Sequence, residues 1–225
     1  MDATIYDANN LTAAVLAIGG LGAAASGLVD GMKALPNGGI SKVGLTEILG
    51  RVGPLIGQGP GASEILDTLH ANWINGVPLQ DQKASAKALI KSTLSPDTAQ
   101  GMAKHLGVPV DMEALRSLSA KLSGQGSDLT PGELNALGRF DLALMASLDC
   151  AYNRADQLYR NRAKALATVF SVILACAGGA AIGVSGWGYA QCVLAGLIAV
   201  PIAPMAKDLA SALQAGVKVA QSFRK

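Results

Sequence analysis

Two long stretches of the chain carry no charged side chain. The first runs from Ala8 to Val29, and the second from Ala165 to Ala206. An α-helix rises about 1.5 Å per residue, so the second stretch would extend about 63 Å as a helix. The hydrocarbon core of a bilayer is about 30 Å thick. The first stretch is therefore long enough for one transmembrane helix and the second for two.

Helix-breaking and aromatic residues divide the second stretch near its middle. Gly183, Gly186 and Gly188 favour a turn, while Trp187 and Tyr189 are typical of a membrane–water interface. The pattern predicts a helical hairpin, with transmembrane helices near residues 165–184 and 189–206, in addition to one near 11–30. Two prolines, Pro201 and Pro204, predict a kink in the last of them.

The region between these stretches reads as a set of short amphipathic helices. Runs of alternating β-branched or aromatic residues are missing, which argues against a sheet. Helix start and stop signals predict four helices: one capped by Ser63 and ending before Gly76, one over 79–93, one starting at Ser95-Pro96-Asp97, and one over 111–123.

A much longer helix is predicted to start at Thr130. Thr130 and Glu133 have the spacing of a capping box, and Pro131 fits the first helical turn. No further proline occurs before the hairpin, so we expect this helix to run unbroken into the membrane. A break near Asn153 or Asn161 is the alternative.

These elements predict an all-α integral membrane protein with three transmembrane helices and a cytoplasmic helical domain. The expected segments are an N-terminal transmembrane helix (1–31), the cytoplasmic domain (32–164), the transmembrane hairpin (165–206) and an amphipathic cytoplasmic tail (207–225). The tail either lies on the membrane surface or continues the last transmembrane helix. Basic residues cluster before the hairpin and after it, which predicts a multi-pass protein of the cell (inner) membrane with the N-terminus outside and the C-terminus cytoplasmic.

The last third of the chain resembles a group of bacterial membrane proteins. The resemblance is carried by the basic patch at 159–164, the short turn, and the segment Pro201-Ile202-Ala203-Pro204 leading into the tail. That group has three transmembrane helices, a cytoplasmic helical region and no known activity. The resemblance therefore implies a topology and no chemistry.

Small residues recur along the first transmembrane helix. Half of the chain is hydrophobic but only 4% is aromatic, and Gly occurs 27 times. Four small residues spaced four apart predict a helix-packing seam: Gly19, Ala23, Gly27 and Gly31. Ala25 is expected on the opposite face of the helix. The alternative is a general richness in glycine.

Two further candidate sites lie around the start of the hairpin. Arg160, Arg162 and Lys164 form a basic collar that would contact lipid headgroups; ordinary topology anchoring is the alternative. Thr168, Ser171 and Ala175 share one face of the second transmembrane helix and are candidate pore-lining residues. Their hydroxyls could equally bond to their own helix.

Nothing in the sequence recommends an enzyme. The histidines, His70 and His105, do not have the spacing of metal ligands, and Cys150, Cys176 and Cys192 lack zinc or disulfide spacing. The net charge of +2 does not indicate a nucleic-acid partner. We therefore expect no catalytic residue, cofactor or metal.

Two functions from different classes are consistent with these features. The first is a non-enzymatic, homo-oligomeric membrane scaffold that presents the cytoplasmic helical domain to a protein partner. The second is an oligomeric ion channel or pore lined by the second transmembrane helix.

Overall fold

The computed structural model describes residues 8–32, 36–57, 61–107, 109, 111–122, 124 and 128–222. Within these ranges the regular structure is entirely helical, with no strand. The predicted all-α class is therefore confirmed. The ends of the predicted first and last segments, residues 1–7 and 223–225, lie outside the described residues.

Eight α-helices and one 3₁₀ segment follow one another along the described part of the chain. They are α1 (Ala8–Gly31), the 3₁₀ segment (Pro36–Ser41), α2 (Lys42–Ile56), α3 (Ala62–Ile74), α4 (Leu79–Ser92), α5 (Ala99–Leu106), α6 (Met112–Leu122), α7 (Pro131–Ala181) and α8 (Gly188–Ser222).

The chain forms two compact units. Of the described residues, those from 8 to 39 and from 160 to 222 form one unit, and those from 40 to 159 form the other. The boundaries predicted from the sequence are 31/32 and 164/165. Helix α7 contributes its first part to the second unit, which we call the helical unit, and its last part to the first, which we call the hairpin unit.

The core of the helical unit is organised around one face of α7. Phe140, Leu144, Leu148 and Tyr152 on this helix are completely buried among apolar side chains from α2 to α6. Their spacing of four keeps them on one face, so α7 covers the shorter helices along a single stripe. Trp73 of α3 belongs to the same core and is 9% exposed.

Trp73 also ties α3 to the chain that precedes α2. Its indole Nε1 donates a hydrogen bond to the carbonyl oxygen of Ser41 (2.8 Å), and its ring meets that of Tyr159 edge-on, with centroids 6.5 Å apart. Gly44 makes this arrangement sterically feasible, because a Cβ there would overlap the Trp73 ring and lie 2.9 Å from the carbonyl oxygen of Ala155.

Helix starts follow the sequence signals in part. The predicted capping box at the start of α7 is confirmed: the Thr130 N–H donates to Glu133 Oε2 (2.7 Å), and the Glu133 N–H donates to Thr130 Oγ1 (3.3 Å). The prediction that Ser63 caps α3 is wrong, since the N-cap is Gly61 in a left-handed conformation. Glycine tolerates that conformation, which places Ser63 inside the first turn.

One helix was not predicted at all. Helix α2 contains Pro54 near its end and the glycines Gly44, Gly50 and Gly53. These residues are poor helix formers, so local propensity gives a weak signal there. Burial of Leu45, Ile48, Val52 and Leu55 against the core outweighs that propensity.

The two long helices are continuous. Helix α7 has 51 residues and no break at Asn153 or Asn161. Helix α8 has 35 residues and passes through Pro201 and Pro204, so the amphipathic tail continues the last apolar helix as far as Ser222. The turn between α7 and α8 uses Gly183 (φ +77°) and Gly186 (φ +54°), which hold conformations that other residues rarely adopt.

Among the described helices, three are long and apolar enough to cross a membrane, as the sequence predicts. They are α1 from Leu11 to Gly31, α7, and α8 from Gly188 to Ala215. Apolar side chains point away from the protein along the hairpin, and about half of the surface of Val169, Ile173, Leu194 and Leu197 is exposed. Such an outward surface is typical of a protein whose solvent is lipid.

Candidate helix-packing and lipid-contact site

Helix α1 packs on α8 through glycines. A Cβ at Gly22 would overlap the carbonyl group of Ala199, and a Cβ at Gly19 would overlap the Cβ of Ala206. Only glycine permits this approach of the two helices. In an apolar environment such close packing is a main source of helix association, because lipid supplies no hydrophobic driving force.

Helices α1 and α8 run antiparallel. Leu16 and Gly20, in the N-terminal half of α1, share a cleft with Ala206 and Ala210 of α8. At the other end of α1, Val29 lines a cleft with Val200, which lies earlier in α8. Moving towards the C-terminus of α1 therefore means moving towards the N-terminus of α8.

This direction differs from the predicted arrangement. A three-span protein with its N-terminus outside requires α1 and α8 to cross the bilayer in the same direction, and hence to be parallel. Here the C-terminal end of α1 reaches Lys164, where the hairpin begins, and its N-terminal half lies beside Ala203 to Ala210. Hydropathy indicates the apolar character of α1, but the pairing partner of its glycines determines its direction.

The predicted seam only partly coincides with the packing face of α1. Gly19 is buried against α8, whereas Ala23, Gly27 and Gly31 are exposed, and a Cβ at either Gly27 or Gly31 would meet nothing within 4 Å. The expectation that Ala25 faces away from the contact is wrong, because it is completely buried.

Helix geometry explains the difference. With 3.6 residues per turn, each residue advances about 100° around the helix, so Ala23, Gly27 and Gly31 lie about 40°, 80° and 120° to one side of Gly19. The buried residues Gly22, Ala25 and Val29 lie about 60°, 120° and 80° to the other side, so the buried face and the predicted seam share Gly19 and then diverge.

Helices α7 and α8 also approach each other closely at glycines. A Cβ at Gly196 would lie 2.5 Å from the Cα of Val172, and one at Gly179 would lie 2.6 Å from Sγ of Cys192. The Ser171 hydroxyl, which is completely buried, lies 2.5 Å from the carbonyl oxygen of Gly196 and 2.9 Å from that of Thr168. Ser171 therefore joins the two helices of the hairpin.

The candidate pore-lining residues occupy different environments. The Thr168 hydroxyl donates to the carbonyl oxygen of Lys164 in its own helix (2.9 Å), Ser171 faces α8, and Ala175 is half-buried. A pore lined by all three would need α8 to move away from Ser171.

The basic collar lies on the surface. Arg160, Arg162 and Lys164 are all exposed. Lys164 differs from the two arginines because it lines a cleft formed with the end of α1, together with Asp30 and Val200. The structure thus separates one member of the collar from the others.

Ion pairs that the sequence did not predict join α4 to α7 in the helical unit. Lys83, only 8% exposed, pairs with Asp149 (2.7 Å) and donates to Asn153 Oδ1 (3.3 Å). Lys87 and Lys91 both pair with Asp141, at 3.0 and 3.1 Å. The spacing of the three lysines was a visible signal of one helix face, but their acidic partners lie too far along the chain to be assigned.

These pairs govern the ionisation of Asp141. Burial alone would raise the pKa of its carboxyl group, but hydrogen bonds and charge from Lys87 and Lys91 outweigh that effect and lower the pKa. Asp141 therefore stays ionised and holds α4 in register on α7.

Glu133 is a second charged group that is nearly buried. Its carboxylate accepts hydrogen bonds from Lys121 Nζ (2.8 Å), Ser117 Oγ (2.5 Å) and the Thr130 backbone N–H (2.7 Å). Lys121 foremost, then Ser117 and Thr130, lower the pKa of Glu133 to about 2. These hydrogen bonds and the ion pair hold α6 against the start of α7.

Tyr152 is the most unusual polar group of the core. Its hydroxyl is completely buried and has no hydrogen-bond partner, and burial raises its pKa to about 12. A hydroxyl left in this state costs stability.

No protein-family model, no curated protein and no solved structure matches the chain.

Proposed function

We propose that the chain is a non-enzymatic membrane scaffold. In this proposal the hairpin of α7 and α8 inserts into the cell (inner) membrane and holds the helical unit at the cytoplasmic face, where it is presented to a protein partner. The observation that carries the proposal is the continuity of α7. The same helix supplies Phe140, Leu144 and Leu148 to the core of the helical unit and Val169 and Ile173 to the apolar surface of the hairpin.

The charge pattern supports the proposed orientation. Arg160, Arg162, Lys164 and Lys207 flank the apolar segments at the end away from the turn, and the turn itself contains Trp187 and Tyr189 but no basic residue. The positive-inside rule then puts the helical unit and the end of α8 in the cytoplasm and the turn outside.

The N-terminus belongs on the cytoplasmic side in this proposal. Because α1 packs antiparallel on α8 and its C-terminal end reaches Lys164, α1 extends along the basic end of the hairpin. Packed lengthwise on α8, α1 would begin on the cytoplasmic side near Lys207 and Ala210 and end within the cytoplasmic half of the bilayer near Val200. An external N-terminus, as the sequence predicts, is the alternative to be tested.

Self-association is the second part of the proposal. Gly27 and Gly31 face outward with open space around them, which leaves room for the backbone of a second copy. Small residues that face lipid lose packing energy unless another helix covers them. The channel hypothesis has no comparable support, because Ser171 is occupied with α8.

Reporter fusions at residues 1, 100, 186 and 225 test the orientation. We expect activity of a cytoplasmic reporter at 1, 100 and 225 and of an external reporter at 186. An external residue 100 would contradict the scaffold model, and an external residue 1 would contradict the placement of α1 alone.

Gly27→Leu tests the self-association. We expect light scattering after size exclusion to give a smaller particle for Gly27→Leu than for the parent. Gly178→Leu is the matched control, because Gly178 is also exposed with nothing within 4 Å but lies on α7. An unchanged particle mass for Gly27→Leu would contradict self-association through the predicted seam. Ion flux through liposomes containing the parent protein would instead support the channel.

A further inference from the structure

The two cysteines of the hairpin unit lie on opposite sides of its turn. Cys176 is five residues before the end of α7, and Cys192 is four residues after the start of α8. At the helical rise, both lie within about 8 Å of the helix ends that the turn joins. Both thiols are free and half-buried. The proposed scaffold function assigns no role to either of them.

A close backbone contact fixes the register of α7 on α8 at this end of the hairpin. A Cβ at Gly196 would lie 2.5 Å from the Cα of Val172, so the two backbones touch there. Cys176 follows Val172 by four residues, and Cys192 precedes Gly196 by four. Because the two helices of a hairpin run antiparallel, both steps lead one helical turn towards the loop, and the two cysteines reach the same level.

The side chain of Cys192 points at α7. Its Sγ lies 2.6 Å from the position that a Cβ at Gly179 would take, so glycine leaves room for the sulfur between the helices. Gly179 is three residues after Cys176 and therefore its neighbour on the same helix face. A disulfide needs Cα atoms about 4.4–6.8 Å apart. Two helices whose backbones touch one turn away bring Cys176 and Cys192 to a separation of this order.

We propose that Cys176 and Cys192 are a redox pair that forms a disulfide across the hairpin. One thiolate of the pair attacks a sulfur of a protein or small-molecule disulfide and releases one thiol of that co-reactant. The second cysteine then attacks the mixed disulfide and releases the other thiol. The pair loses two electrons and two protons, and the disulfide of the co-reactant is reduced to two thiols.

This disulfide would lock the two helices of the hairpin together. It closes a loop that contains the turn, which restricts the states in which the helices are apart. A pore lined by Ser171 would need α8 to move away from α7. The disulfide opposes that movement, whereas the reduced pair permits it.

The source of the oxidant rests on the proposed function. With the turn outside the cell membrane, the co-reactant would be a disulfide of the oxidising outer compartment. The pairing itself depends only on the contacts between α7 and α8, so it can be tested apart from the orientation.

Oxidation of the purified full chain in detergent tests the pairing. Cys150→Ser removes the exposed third thiol, and oxidised glutathione is added before free thiols are blocked with N-ethylmaleimide. Mass spectrometry should show the loss of two hydrogen atoms, no maleimide, and peptides joined through Cys176 and Cys192 that dithiothreitol separates. Free thiols, glutathione adducts or disulfide-linked dimers in place of this product would each overturn the proposal.

The matched control moves one thiol to the exposed face of α7 at nearly the same depth. Ala177 is exposed, so the Cys150→Ser variant that also carries Cys176→Ser and Ala177→Cys should keep both of its thiols open to N-ethylmaleimide. Equal oxidation of this control would overturn the pairing. A disulfide that forms in detergent but is absent from acid-trapped cells would contradict the external turn of the proposed function instead.

Discussion

Gly22 of α1 lies directly against the carbonyl group of Ala199 in α8, closer than any residue with a Cβ could lie. This contact, with its neighbour between Gly19 and Ala206, sets both the separation and the direction of the two helices. It makes α1 an antiparallel partner of α8. The apolar length of α1 therefore does not by itself determine whether α1 crosses the membrane.

Gly22→Leu should displace α1 from α8, because the new side chain would have to occupy the position of the Ala199 backbone. Lipid offers no hydrophobic gain for keeping the helices together at a larger distance. The readout is the modification of a cysteine at Ala25, which is completely buried in the parent. In detergent and with the natural cysteines replaced by serine, N-ethylmaleimide should label Ala25→Cys at least about tenfold faster when Gly22→Leu is present, a change of about 1.4 kcal/mol in the opening equilibrium.

Ala24→Leu provides the control for this experiment, since Ala24 is exposed on α1. It should leave the labelling rate of Ala25→Cys unchanged. Equal rates in the Gly22→Leu and Ala24→Leu variants would mean that the contact with Ala199 does not hold α1.

The Glu133 cluster should make the helical unit sensitive to acid. The pKa of Glu133 is lowered to about 2 from an ordinary value of 4.5, so its stabilising contribution is complete above about pH 4.5 and is lost as the pH falls towards 2. Glu133→Gln should therefore lower the free energy of unfolding at pH 7, and the gap to the parent should narrow below about pH 4.5.

Trp73 can report this transition once Trp187→Phe has removed the second tryptophan. Denaturant titrations followed by Trp73 fluorescence at several pH values give the free energies. Glu113→Gln, an exposed carboxylate at the start of α6, is the control and should show a much smaller gap at pH 7. A gap for Glu133→Gln that does not change with pH would contradict the assigned role.

Tyr152→Phe should leave the helical unit as stable as the parent or more stable by about 1 kcal/mol. The substitution keeps the ring in the core and removes a buried hydroxyl that has no partner, whose desolvation costs about 1–3 kcal/mol. Leu148→Ala, one turn earlier on the same buried face, should by contrast cost about 2–5 kcal/mol. The same Trp73 titrations measure both. A loss of more than 1 kcal/mol for Tyr152→Phe would indicate a hydrogen bond to the hydroxyl.

Local signals predicted much of the fold. The capping box at Thr130 and Glu133, the turn around Gly183 and Gly186, and the continuity of α7 all follow from nearby residues, and all are observed. Helix α2 was not predicted because its glycines and Pro54 have low helix propensity, and burial against the core is what stabilises the helix.

The candidate sites depend on which helices pack together and in which direction, and the sequence of a single helix does not contain that information. A small-residue repeat on α1 shows that another backbone can approach, but not which one or in which direction. The pairing of Gly22 with Ala199 and the meeting of Asp30 with Lys164 in one cleft are long-range events. The acidic partners of Lys83, Lys87 and Lys91 could not be predicted either, because they lie far along the chain from these lysines.

Cross-linking within the membrane tests the placement of α1 most directly. Leu16 and Ala210 line one cleft in the antiparallel arrangement, whereas a parallel α1 that crosses the bilayer would bring Leu16 near Leu194 instead. Two variants free of natural cysteines, Leu16→Cys with Ala210→Cys and Leu16→Cys with Leu194→Cys, are treated with a short bifunctional thiol reagent in native membranes. We predict an intramolecular cross-link for the 16–210 pair and none for the 16–194 pair; the reverse result would contradict the antiparallel pairing and restore α1 as a third transmembrane helix.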